Sequence, residues 1–231
     1  MKLGVIAAMR LEAELIEAAM TDHVTETHGN IEFHLGRIGT TDVVLAVCGI
    51  GKVFAGICAQ TMILTFAPDA IVNTGVGGTL TTELSIGDVA VSTATVQHDM
   101  DTSALGDPVG LISGLDIVEL PADLTLAERI SAIVRDMGIR TVSGVIASGD
   151  RFIGDNESRR SIAQRFGAIA CEMEGAAIGQ VCCFNRVPYA VIRAISDDAS
   201  SGACDDYPTF ARSAAKNSAA AVIRLAHSFE A

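Results

Sequence analysis

Ala70-Ile71-Val72-Asn73-Thr74 runs straight into Gly75-Val76-Gly77-Gly78, and the fold turns on this stretch. A short apolar run rich in β-branched residues reads as a buried strand, and the glycines after it read as a tight turn where backbone can approach a ligand. Upstream, Lys52–Phe66 carries helical character and follows Gly49-Ile50-Gly51. Ile31–Ile38 and Thr41–Cys48 form a hairpin pattern around Gly39-Thr40, Leu11–Met20 reads as a helix, and Lys2–Ala7 as a buried strand. Downstream, Asp88–Val96, Val142–Ser148, Ala168–Cys171 and Tyr189–Ser196 read as strands. Ala122–Met137 (with Pro121 leading its first turn), Met173–Phe184 and Tyr207–Phe229 read as helices. Strands and helices alternating along one chain predict an α/β protein: a single-domain three-layer α/β/α sandwich over residues 1–231, with a central mixed, mostly parallel sheet.

Composition excludes several classes of function. The formal net charge of -12 and the absence of a basic cluster argue against a nucleic acid partner, since an acidic surface repels phosphates. Arg159, Arg160 and Arg165 are the densest cations, and they are expected to form a solvated helix face. No apolar run reaches membrane-spanning length and the first residues lack a signal peptide pattern, so a cytoplasmic protein is expected. The six cysteines form no CxxC pair and no histidine spacing completes a zinc motif. They are expected to be reduced and structural, with no metal and no cofactor. The GxG pieces lack the spacing of a dinucleotide or P-loop fingerprint.

In sheets of this kind ligands sit beyond the carboxyl ends of strands. That places Met9–Glu12, Gly49–Gly51, Gly75–Gly78, Ser148–Ile153, Cys171–Glu174 and Ser196–Asp198 around one site. These segments carry Glu12, Asp150, Glu172, Glu174, Asp197 and Asp198 against only Arg10, Arg151 and Arg193. Several carboxylates in an acidic, cation-poor pocket suit cleavage of a bond to a sugar carbon, one acid protonating the leaving group while another activates water. Residue types alone leave helix caps and surface charges as the alternative reading.

Taken together, six segments resemble the methylthioadenosine/S-adenosylhomocysteine nucleosidase family. They are Gly4-Val5-Ile6-Ala7-Ala8-Met9-Arg10-Leu11-Glu12, Gly49-Ile50-Gly51-Lys52, Asn73-Thr74-Gly75, Ser148-Gly149-Asp150-Arg151-Phe152-Ile153, Glu172-Met173-Glu174 and Arg193-Ala194-Ile195-Ser196-Asp197. The resemblance implies a nucleoside phosphorylase-like fold and hydrolysis of a thio-nucleoside to adenine and a 5-thioribose. It implies Asp197 as general acid to adenine N7, oriented by Ser196, and Glu12 as general base for water. Glu174 would grip the ribose hydroxyls, with Met173 packing on the sugar and Arg193 holding Glu174 or the ribose side. Val76 and Gly77 would line the ribose side, and Cys171 and Glu172 belong to the same substrate-binding set. Phe152 would stack on adenine, and the backbone of Ile153 would read the purine edge. Met9, Ile50 and Tyr207, with Leu105 from a second subunit, would enclose the 5′-thioether in a homodimer serving methionine salvage.

The sequence departs from the family pattern at Arg10, where Glu is common, at Val76, where Ser is frequent, and in Leu105–Leu111, which lacks the usual aromatic and Gly-Gln-Val-Pro pattern after His98-Asp99-Met100-Asp101. The 5′ substituent is therefore the least determined part of the substrate. Phosphorolysis, futalosine-type hydrolysis and non-catalytic nucleoside binding are the competing readings.

Overall fold

The computed structural model describes residues 1–198 and 203–229, without the side chains of residues 203–206 and 208, so the thiol of Cys204 lies outside the described set. The chain runs β1 (Lys2–Ala7), α1 (Arg10–Ala19), β2 (Thr21–His28), β3 (Ile31–Ile38), β4 (Thr41–Val47), α2 (Lys52–Phe66), β5 (Ala70–Thr79) and β6 (Val89–Gln97). It continues through β7 (Leu120–Pro121), α3 (Leu124–Asp136), β8 (Thr141–Ser148), α4 (Asn156–Phe166), β9 (Ala168–Glu172), α5 (Gly175–Asn185), β10 (Tyr189–Asp197) and α6 (Ala203–His227).

All ten strands join one sheet. Parallel ladders connect β1 to β4 and to β5, β5 to β10, β6 to β8, and β8 to β9. Antiparallel pairs join β5 to β9 and β10 to β6. The strands β5, β9, β8, β6 and β10 therefore close on themselves, while β1, β4, β3 and β2 extend from β5 as an open wing.

Helices cover both faces. Ala13 and Ile16 of α1, Ile130 and Val134 of α3, and Val222 and Leu225 of α6 pack on one side against Val5, Val72 and Ile192. Ala55, Cys58 and Met62 of α2 with Ile178 and Cys182 of α5 pack on the other, against Ile6, Ile71 and Val191. The three-layer α/β arrangement expected from the pattern is the one formed. Cys48, Cys58, Cys171, Cys182 and Cys183 are free thiols. Among the described residues no helix is long and apolar enough to cross a membrane.

Several local expectations change. Gly75-Val76-Gly77-Gly78 is not a turn: β5 continues through it to Thr79, fully buried, pairing with β10 in parallel and with β9 at its end. The third helix starts at Leu124 rather than Ala122, because Asp123 caps it by accepting from the Leu126 amide. Pro121 instead pairs with Ala94 in the sheet. Met173 and Glu174 precede α5 rather than opening it, and the terminal helix begins earlier than Tyr207, at Ala203. The polar edge strand β2 and the helix α4 have no apolar periodicity strong enough to announce them.

Candidate active site

The carboxyl ends of β1, β5, β9 and β10 and the loops after β4 and β8 surround a cavity of about 400 Å³. Of the residues expected there, Met9, Glu12, Ile50, Val76, Gly77, Phe152, Ile153, Cys171, Glu172, Met173, Glu174, Ser196, Asp197 and Tyr207 all line it. Ala8, Gly78 and Arg151 line it as well. Leu105 does not: it lies in a short 3-10 turn, Ser103–Leu105, and is 83% exposed. Arg193 is buried behind the wall instead of lining it.

Glu12 sits in the first turn of α1, where a carboxylate can accept from free amides. One oxygen, Oε2, accepts from the amides of Ala8 (3.0 Å) and Met9 (2.9 Å), and Oε1 accepts from the amide of Val76 (3.0 Å). The helix-cap role and the site role thus belong to the same side chain. Burial drives its pKa upward from 4.5, against the opposing influence of Arg193 and of those three amides. Gly75 makes room for it, since a Cβ there would stand 2.5 Å from Glu12 Oε1.

Across the cavity, Asp197 is the last residue of β10 and is 2% exposed. Ser196 Oγ donates to its Oδ2 at 2.8 Å. Its Oδ1 is ion-paired with Arg159 Nη2. That overturns the solvated-face expectation for Arg159, which is 3% exposed on the inner side of α4. Arg159 Nε also donates to the carbonyl of Ile153 and Nη1 to that of Thr79, each at 3.2 Å. A charge this deep persists only with such partners. No signal short of the tertiary fold separates Arg159 from its exposed neighbour Arg160.

The remaining acids share one cation. Glu172 accepts from Ser148 Oγ, from the amides of Glu174 (3.0 Å) and Gly175 (2.7 Å), and from Arg193 Nη2. It touches the cavity, but its oxygens are committed to holding the loop before α5. Glu174 accepts from the Gly51 amide at 2.9 Å and has Oε2 3.7 Å from Arg193 Nη2. Burial, followed by repulsion from Glu172, pushes Glu174 up to about 7. Burial works against the charge of Arg193, yet Glu172, Glu174 and Glu12 outweigh it and hold its pKa above the usual value.

The mouth is apolar and aromatic. Phe152 and Tyr207 meet edge to face with centroids 5.6 Å apart, and Tyr207 Oη donates to Met9 Sδ at 3.3 Å. Phe152 keeps 44% of its surface exposed, so its ring face is available for stacking. His98 stays out of the cavity and lies behind Gly149. A second polar group, Glu17 with His23 and His34, gathers away from the pocket.

The chain matches the phosphorylase superfamily model over residues 2–227. It is 38% identical to the 5′-methylthioadenosine/S-adenosylhomocysteine nucleosidase of Shewanella loihica over 97% of this chain and 98% of that protein. Its fold superposes on the Neisseria meningitidis nucleosidase of the same name, solved with methylthio-immucillin-A, at a TM-score of 0.93 and 35% identity, covering 98% of this chain and 99% of the other. Futalosine hydrolase of Helicobacter pylori superposes at 0.92 with 32% identity, over 98% of this chain and 97% of that one. The chain belongs to the 5′-methylthioadenosine/S-adenosylhomocysteine nucleosidase family of the phosphorylase superfamily.

Proposed function

We propose that this protein hydrolyses the N-glycosidic bond of 5′-methylthioadenosine and S-adenosylhomocysteine, with Asp197 as general acid and Glu12 as general base. The observation that carries the reading is that these two buried carboxylates face the same cavity from the ends of separate elements. Water held by Glu12 attacks the anomeric carbon and gives its proton to that carboxylate. The bond from that carbon to the purine breaks with its electron pair going to the base. With the Ser196 hydroxyl turned to donate to the Gly77 carbonyl (3.4 Å), Asp197 Oδ2 carries the proton that passes to N7, so that neutral adenine leaves. The negative charge of Glu174 near the ribose favours a cation-like transition state.

Electrostatics favour water over phosphate as the nucleophile. Phosphate needs unspent cations or amides. Arg159 and Arg193 are paired to Asp197 and Glu172, and the amides of Ala8, Met9 and Val76 are already given to Glu12. Arg151 reaches the rim but is paired with Asp155 at 3.2 Å.

Futalosine-type hydrolysis is the second reading, favoured by the likeness to the Helicobacter pylori enzyme and by the divergent stretch Leu105–Leu111. A panel of methylthioadenosine, S-adenosylhomocysteine and aminodeoxyfutalosine, scored for released adenine with and without phosphate, tests the assignment. Phosphate-independent release from the first two is expected, and release only from the third transfers the protein to the other activity. Glu12→Gln is expected to lower turnover by about 10²–10⁴-fold, the usual value of general acid–base help, and Asp197→Asn to abolish adenine release while retaining ligand. We place the protein in the cytoplasm, where its free thiols persist. We further propose a homodimer, in which Leu105 of one copy covers the thioether end of its partner's pocket.

A further inference from the structure

The structure assigns a divalent-cation site to Glu17, His23 and His34, outside the catalytic pocket. His23 Nε2 lies 2.9 Å from His34 Nδ1, and Glu17 Oε1 lies 3.5 Å from His34 Nδ1 and 3.9 Å from His23 Nε2. A tetrahedral ion with arms of about 2.0–2.1 Å has ligand atoms about 3.3 Å apart, and the three separations bracket that edge. Glu17 comes from α1, His23 from β2 and His34 from β3, so nothing in their sequence spacing marks the group.

The backbone supports the arrangement. The β2–β3 register shifts between Thr21 and Val24, with Asp22 left-handed at φ 54°, and this irregularity re-aims His23. Arg10 holds Glu17 Oε2 at 2.7 Å, which leaves Oε1 turned to the imidazoles. Without the ion, His23 Nε2 and Thr25 Oγ1 stand within hydrogen-bond distance of His34 Nδ1, at 2.9 and 3.2 Å, and both contacts give way when the metal takes that nitrogen. On binding, each imidazole offers the facing nitrogen as a lone pair and carries its proton on the other ring nitrogen. Two nitrogens and one carboxylate oxygen suit zinc, cobalt or nickel and not magnesium or calcium. The ion would tie the exposed edge strand β2 to the helix that begins beside Glu12.

The test is calorimetric titration of chelator-treated full-length protein with zinc chloride, with cobalt chloride absorption as a second probe. About one equivalent of zinc per chain is expected, with a zinc-dependent rise in Tm of about 5 °C or more at saturating metal. His23→Gln and Glu17→Gln are expected to lose both, while the metal-free Tm of His23→Gln, a partly exposed position, stays that of the wild type. No saturable binding, retention of binding in His23→Gln, or cobalt–thiolate absorption bands that place the metal on cysteine would overturn the assignment.

A separate observation concerns the acid. We infer that Arg159 is a positioning residue that fixes Asp197 relative to the backbone that reads the purine. The inference rests on the proposed role of Asp197. One guanidinium binds three points: the Ile153 carbonyl, the Thr79 carbonyl at the end of β5, and Asp197 Oδ1. Gly78 leaves the space for this pair, because a Cβ there would stand 2.7 Å from Asp197 Oδ1 and 3.0 Å from Arg159 Nη2. With Oδ1 held by Arg159 and Oδ2 beside Ser196 Oγ, the carboxyl has one defined orientation, and Oδ2 is the oxygen left to carry the proton.

Arg159→Met is expected to lower kcat for methylthioadenosine by about 10-fold or more and to displace the pH–rate profile, with Arg159→Lys restoring part of both. A merely structural Arg159 predicts a lower Tm with unchanged kcat and pH profile at a temperature where the variant is folded, and that result overturns the inference. Full activity in Asp197→Asn would instead remove the acid role itself, whatever Arg159 does.

Discussion

Glu174 is pushed up to about 7 by burial and by Glu172 beside it, which brings its titration into the neutral range. To accept two ribose hydroxyls it must be ionised, and kcat/KM reports groups of the free enzyme. We therefore expect kcat/KM for methylthioadenosine to rise with pH through about 7, and Glu174→Gln to lose that limb along with ribose affinity. A flat profile between pH 5 and 8 would show that Glu174 does not act through its charge. Glu12 adds a limb above 4.5 for the same reason, since burial raises it and the base must be ionised. The shift at Glu174 enters stability with the opposite sense. Its folded-state pKa exceeds its unfolded value, so its stabilising contribution is complete below pH 4.5 and is lost as pH rises through about 7. The Tm of Glu174→Gln is accordingly expected to vary less between pH 5 and 8 than that of the wild type, as read by calorimetry without ligand.

At the scale of elements, β5 shows what close packing requires. Its glycines are places where other elements approach: Gly77 faces the Cys171 carbonyl, Gly78 faces Asp197, and Gly75, the tightest, faces Glu12. Gly75→Ala pushes a flexible carboxylate rather than backbone, so Tm should fall by only a few degrees while kcat falls more than about 10-fold, through displacement of Glu12. Equal losses in both, or none, would show that the carboxylate has other room. The same strand explains what could be read beforehand. Its apolar start, Ala70–Val72, was legible from pattern, and so were the helices that bury an apolar face. Its glycine end was not, because Gly reads as a turn unless the facing atoms are known. Most pocket residues could be named because the segments that follow the strands resemble those of the family, and Tyr207 of α6 could be named by that resemblance alone. Arg159 could not, because α4 carries three arginines and only the fold decides that one of them turns inward to Asp197. Glu17, His23 and His34 escaped for a related reason: three elements bring together residues that share no spacing.

At the scale of the molecule, α2 and α5 pose a problem that one chain does not solve. One side of each packs into the core, yet Val53, Phe54 and Ile57 of α2 are 71%, 56% and 52% exposed, with Leu64 at 75% and Phe184 of α5 at 74%. Soluble proteins rarely leave such an apolar face in water, and larger patches mark association surfaces. Ile50, at 53%, lies at the edge of this face and also lines the pocket, so a partner seated here would reach the cavity mouth. Leu105, 83% exposed in one copy, is the residue the family resemblance brings to that mouth from the other. Sedimentation equilibrium is expected to return twice the 24.0 kDa chain mass. Ile57→Glu, which buries a charge in such an interface, should yield monomers. If the partner closes the thioether end, those monomers should show a KM for methylthioadenosine raised by about 10-fold or more, while Leu105→Ala raises KM with the dimer intact. A wild-type monomer with full activity would assign the apolar face to some other partner and leave the pocket complete within one chain.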